Sequence, residues 1–224
     1  MLKTTLLALA ALTSAAQAQT IERPEGGAPD GLFGVLTVGQ TTMSPYLSLP
    51  DLADGTVVEL DSTSALHRSR TGVGYTASVR GLEPGAAYTN WFVAFTRPDR
   101  CETACACGLA DLSNPDAEVG VYYATGRVAD DYGQATFSSE TDYGELPDGE
   151  DQVPLAGLEN PVTLRSEVHL VVRRHDRAAV DDLLREAQLT TFNAGCPAGG
   201  CVDEQVSVHR SPSCRAPRTR GRRR

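Results

Sequence analysis

The stretch GLEPGAAYTNWFVAF, residues 81 to 95, decides the fold. Its Pro84-Gly85 pair makes a turn, and Tyr88 begins the run that follows. A tyrosine just past such a corner can return its hydroxyl to the backbone a few residues upstream and lock one β layer to the next. The run itself reads as a strand over 88–95. It carries Trp91, Val93 and Phe95 on one face and Tyr88, Phe92 and Ala94 on the other. Both faces are apolar, so the outer one needs a cover.

Outward from that corner, Gly, Pro, Asp and Ser punctuate the chain, and the runs between them are short and rich in Val, Thr and Tyr. That pattern predicts strands over 32–38, 56–60, 74–79, 119–128, 135–139, 163–173 and 202–209. Asp130, Asp131 and Gly133 read as a hairpin turn. One segment has a different period. Between 176 and 189, Val180, Leu183, Leu184 and Ala187 recur at the spacing of an amphipathic helix. Asp176 is the expected N-cap, and the helix is the expected cover for the strand at 88–95. The fold class is therefore mostly β: an antiparallel β-sandwich with one amphipathic helix covering part of a sheet.

The ends of the chain speak to compartment. MLKTTLLALAALTSAAQAQT has one cation, a short apolar run and the small-residue close Ala16-Gln17-Ala18, the layout of a secretory signal peptide over 1–18. The apolar run is far short of the roughly 20 residues that span a bilayer, and no later stretch is long and apolar enough to do so. The expected organisation is a flexible segment at 19–29, a single β-sandwich domain at 30–209 and a disordered tail at 210–224. That tail holds seven arginines and no acid, whereas residues 19–209 hold 29 acids against 12 arginines. A body so acidic makes a poor nucleic-acid surface.

Six cysteines in an exported chain belong to an oxidising space. CPAGGC can close on itself, which pairs Cys196 with Cys201. Cys105 and Cys107 are too close to pair comfortably, so Cys101–Cys107 comes next and leaves Cys105 with Cys214. The alternative for CETACAC is a metal cluster. Its C-x3-C-x-C spacing differs from the paired knuckles of zinc sites.

Leu82, Pro84, Gly85 and Tyr88 resemble the Leu-x-Pro-Gly-x-x-Tyr corner of fibronectin type III and other immunoglobulin-like domains. With CETACACGLADL, VYYATGRV, EVHLVVRRH and CVDEQVSVH, the chain from about residue 30 to 209 resembles a group of exported bacterial proteins read as β-sandwiches. The resemblance implies an immunoglobulin-like sandwich and carries no activity or cofactor. Cys105 and the arginine tail with Cys214 depart from it.

Candidate chemistry is sparse. Alternation along EVHLVVRR sends Val168, Leu170 and Val172 to one face and Glu167, His169, Val171 and Arg173 to the other. In VDEQVSVH, Val202, Val206 and Val208 are expected on the core face, opposite Asp203, Gln205, Ser207 and His209. Were the two strands paired, Glu167, His169, Asp203 and His209 would form a candidate metal set or a proton-transfer pair. Ser207 with His209 lacks the turn and the orienting acid of a nucleophile. The acidic stretch 142–161, with six carboxylates, has no EF-hand frame and reads as a solvated loop. No phosphate-cradling loop or dinucleotide fingerprint occurs.

These readings converge on an exported, disulfide-stabilised binding or structural module with no cofactor and no catalysis. Its partner is expected at the cell surface or outside the cell. The acidic loop and the cysteine loop after Phe95 are the expected contact surfaces. The alternative is a metal-binding protein or small metal-dependent enzyme using His169 and His209.

Overall fold

The Tyr88 ring is fully buried and its hydroxyl accepts the Glu83 N–H at 2.9 Å. Gly85 takes a left-handed φ of 74°, which the turn requires, and Leu82 is buried beneath the corner.

The computed structural model describes residues 40–143 and 162–214, all within one compact unit. The expected signal peptide 1–18, the segment 19–29, the strand at 32–38, the acidic loop from 144 to 161 and the tail from 215 lie outside the described residues.

The strands are β1 (Gln40–Ser48), β2 (Glu59–Arg68), β3 (Gly72–Val79), β4 (Ala86–Phe95), β5 (Val119–Val128), β6 (Ala135–Asp142), β7 (Glu167–Arg177) and β8 (Val202–His209). Two helices accompany them, α1 (Leu49–Ala53) and α2 (Asp182–Thr190). The architecture is β-rich, as expected, but it is one sheet and not two stacked ones. All eight strands join antiparallel neighbours in the order β5-β4-β7-β8-β1-β2-β3-β6. The two edge strands, β5 and β6, lie against each other, so the sheet curls into a nearly closed barrel. The β1–β8 junction that makes it continuous rests on three residue pairs, Tyr46–Ser207, Leu47–Val206 and Ser48–Gln205. The turn after β5 is anchored by Asp130, whose carboxylate accepts the N–H groups of Tyr132 and Gln134. It joins the two edges and does not close a paired hairpin.

The barrel interior is the main core. Tyr75 of β3 meets Phe92 of β4 edge-on across it, with ring centroids 5.5 Å apart. Leu66, Phe137, Tyr122, Leu170 and Val172 fill in around them. Each such side chain, removed from water, contributes about 1.5–3 kcal/mol.

The face assignment expected for β8 is reversed. Val168 pairs with His209, Leu170 with Ser207 and Val172 with Gln205. Directly opposed residues share a face, so Gln205, Ser207 and His209 point inward and are buried. Val206 and Val208 turn outward.

The expected helix also differs. α2 starts five residues late, with Asp181 in place of Asp176 as its N-cap, accepting the Leu184 N–H at 2.9 Å. The helix lies against β4 and β5, as expected, but not by its apolar stripe: Val180 is 96% exposed and Leu183 78%. The helix is held by Gln188, which is buried. Its Oε1 accepts the Ala179 N–H and its Nε2 donates to the Arg177 carbonyl. Tyr123 of β5 donates to the Leu189 carbonyl at 2.7 Å. A Cβ at Gly126 would lie 2.0 Å from that same oxygen, so the close approach of helix and strand needs glycine there.

Candidate functional site: an apolar groove outside the barrel

Alongside α2, the apolar cover for the outer face of β4 comes from the cysteine loop between β4 and β5. Cys101, Cys107 and Ala117 pack with Trp91, Val93, Phe95, Val119 and Val121 in a second core. Asp111 holds this loop in shape. Its carboxylate accepts the Glu102 N–H at 2.7 Å and the Gly108 N–H at 2.9 Å. The Cys101–Cys107 bond closes the loop, Cys105–Cys214 ties it to the far end of the described chain, and Cys196–Cys201 closes the loop after α2. The residues from Arg210 to Cys214, expected as the start of a disordered tail, are thereby held: Pro212–Cys214 form a short helical turn.

The cover is incomplete. Beside it lies a cavity of about 590 Å³, within the size range of small-molecule sites. Its floor is Trp91, Val93, Val171, Val206 and Val208. One wall is Leu49, Leu52 and Val57 at α1, another is Leu109 and Leu112 of the cysteine loop, and a third is Phe192 after α2. The outward turn of the β8 valines therefore has a use. Val57 and Leu109 at the rim are 66% and 56% exposed, so the mouth as well as the floor is apolar.

The wall at Phe192 is pinned. Its ring meets Trp91 edge-on at 4.9 Å, and the Arg173 guanidinium lies over the ring at 3.7 Å from the centroid. Arg173 in turn donates to the Phe192 carbonyl at 2.9 Å and to Asp203 at 2.6 Å.

The polar end of the groove is built on Glu167. This residue is fully buried, yet its Oε1 takes the Arg210 guanidinium at 2.5 Å and the His169 Nε2–H at 2.9 Å. Its Oε2 is buried with no partner among the described residues. A carboxylate only accepts, so Nε2 of His169 is the donor to Glu167, and in the tautomer with a single ring proton Nδ1 is an acceptor. His169 and Arg210 both line the cavity.

Of the four residues in the expected metal set, Glu167 and His169 come together. Asp203 lies further along the groove, paired to Arg173. His209 is on the other side of the sheet, inside the barrel. There its Nε2 meets Ser64 Oγ at 2.8 Å and its Nδ1 meets Thr42 Oγ1 at 3.0 Å, while Ser64 and Ser207 hydroxyls lie 2.5 Å apart. Burial pushes His209 down to about 3, with nearby Arg68 and His169 adding to the effect. The ring is thus neutral, and the Ser64–Ser207–His209 group is closed off from solvent. It braces β1, β2 and β8 against one another. Among the described residues two other clusters bring ligand-type atoms together, His175 with Cys196 and Cys201, and Cys101 with Cys107 and Asp111. In both, the sulfurs are joined in disulfides.

Sequence reasoning missed Arg210 and Phe192 as parts of a site. The signal for a site was the Trp91–Val93–Phe95 face, which demanded a cover. Comparison with protein-family models, with curated proteins and with solved structures finds no match. The functional reading therefore rests on this geometry.

Proposed function

We propose that the protein is an exported binding module that holds an uncharged amphiphile in the groove, with its apolar body on Val171, Val206 and Val208 and a hydroxyl or amide end donating to His169 Nδ1. The observation that carries this reading is the 590 Å³ apolar cavity lined also by His169 and Arg210, both of which pair with Glu167. Apolar lining with a few convergent polar groups is the usual make-up of a ligand site. The charges argue for a neutral ligand. Arg210 is matched by Glu167, and Arg173 by Asp203, so neither sign is left over. Export is supported by three disulfides, which persist in oxidising compartments. Among the described residues no helix is long and apolar enough to cross a membrane. The kinship with exported β proteins and the immunoglobulin-like origin of the corner belong to this proposal as well.

Nile red, an uncharged apolar dye, is the probe. It should bind the purified full chain with a gain in emission. 1-Decanol should displace it, and decanoate should do so at least about tenfold less well. Val206→Asp puts a charge on the apolar floor and should weaken dye binding by about tenfold or more. Leu109→Asp at the exposed rim serves the same end with less risk to folding. Binding that survives both substitutions, or no binding by the unaltered protein, sinks the proposal.

A further inference from the structure

The loop between α2 and β8 carries a second arrangement that the groove does not use. Cys196 and Cys201 are half-buried, and Pro197 to Gly200 between them are exposed, whereas Cys101 and Cys107 are buried. Cys201 precedes β8 directly and lies beside His175 of β7, with Sγ 3.2 Å from Nδ1. The two sulfurs and the ring nitrogen all fall within 4.8 Å of one another.

The proton on His175 is placed by its neighbours. Trp91 Nε1–H, which can only donate, gives to Thr89 Oγ1 at 2.8 Å. Thr89 Oγ1 is 2.9 Å from His175 Nε2, and the Ala194 carbonyl is 2.7 Å from Nδ1. A carbonyl only accepts, so the proton is on Nδ1 and the Thr89 hydroxyl donates to Nε2. The Nδ1–H therefore faces both Ala194 O and Cys201 Sγ. Burial lowers the affinity of this ring for a second proton, so the donor is a neutral imidazole.

We propose that Cys196–Cys201 is a thiol–disulfide exchange centre for dithiols, in which Cys196 is the sulfur attacked and Cys201 departs as a thiolate received by the Nδ1–H of His175. A thiolate of the incoming dithiol forms a bond to Cys196 Sγ. The Cys196–Cys201 bond breaks, and its electron pair goes to Cys201 Sγ, which then takes a proton from water. The second thiol of the dithiol next attacks its own sulfur in the mixed disulfide, releasing Cys196 as a thiol. The protein gains two electrons and two protons, and the dithiol leaves as a disulfide. The direction of attack follows from leaving-group chemistry: exchange is faster when the departing thiolate is stabilised, and Cys201 has the donor.

The test uses the oxidised full chain. Dithiothreitol is added, samples are alkylated at intervals, and mass spectrometry follows each cysteine pair. Cys196–Cys201 should open at least about tenfold faster than the other two. Glutathione, a monothiol, should trap its adduct on Cys196 and leave Cys201 free to alkylate. His175→Asn keeps an N–H donor near the Nδ1 position and should stay within about threefold of the parent rate. His175→Leu should be about tenfold slower. Thr89→Val removes the other partner of the ring and controls for loosened packing, and it should leave the glutathione adduct on Cys196. Equal opening of all three bonds, an adduct on Cys201, or a Leu variant as fast as the Asn variant overturns the proposal.

Discussion

Tyr88→Phe removes one oxygen and leaves the buried ring in place. The lost hydroxyl accepts the Glu83 N–H at 2.9 Å and donates to Glu204 Oε2 at 3.3 Å. Glu204 keeps a partner, because Arg174 Nε reaches its other oxygen at 3.0 Å. The Glu83 N–H does not, but Glu83 is exposed, so water can take over its N–H, and the loss is the net worth of an ordinary hydrogen bond, about 0.5–1.5 kcal/mol. A value of about 1 kcal/mol corresponds to a fall in Tm of roughly 2–4 °C for a domain of this size. Thermal unfolding followed by circular dichroism reads it, and urea unfolding should show a lower midpoint at unchanged slope. A shift under about 1 °C would mean that the Pro84-Gly85 turn holds its shape without the phenol, and the argument for the corner would fail.

His209 gives a pH prediction. Its native value near 3 lies below the ordinary 6.5, so the native ring binds fewer protons than the unfolded one. Stability is fully present above about pH 6.5 and declines as pH falls toward 3, with a slope approaching about 1.4 kcal/mol per pH unit from this group; urea midpoints from pH 7 to 4 should show a decline that His209→Gln flattens, and an unflattened profile would count against the buried neutral ring. Gly126→Ala drives a methyl onto the Leu189 carbonyl, so it should cost about 1–3 kcal/mol and speed amide exchange across α2 while leaving exchange in β2 and β3 unchanged. Exchange rates that match the parent in α2 would show that the helix does not lean on β5 there.

The parts that were legible in the sequence are those written in local chemistry. Pro84, Gly85 and Tyr88 form a turn within a few residues, and the strand behind them is apolar throughout. The cysteine loops are legible for the same reason, since their spacing restricts which sulfurs can meet. The joining of all eight strands into one continuous sheet was not legible, because it depends on three pairs between strands more than 150 residues apart. β1 was missed because Pro45 and its polar neighbours do not look like a strand; the register shifts between Pro45 and Leu47, where a proline is tolerated. The faces of β8 were misread because its valines suggested a core, and they do line an apolar space, but on the outside. Polar residues inside the barrel are stable only as a set: His209 with Ser64, Ser207 and Thr42. No one of them announces the others in sequence. The helix stripe misled for a related reason. Gln188 found backbone partners that the leucines had no means to find.

The turn between β5 and β6 is fastened to the tyrosine corner: Leu82 N–H donates to the Gly133 carbonyl and Gly85 N–H to the Ala129 carbonyl. One small region of chain thus hems both free margins of the rolled sheet. Exposed margins are where foreign strands attach themselves, so loosening this hem would do more than unfold the molecule by a few degrees. It would unroll the cylinder along a single line and present two lengths of unsatisfied main chain to whatever neighbour was near. Damage at the corner should therefore surface as clumping before it surfaces as loss of secondary structure.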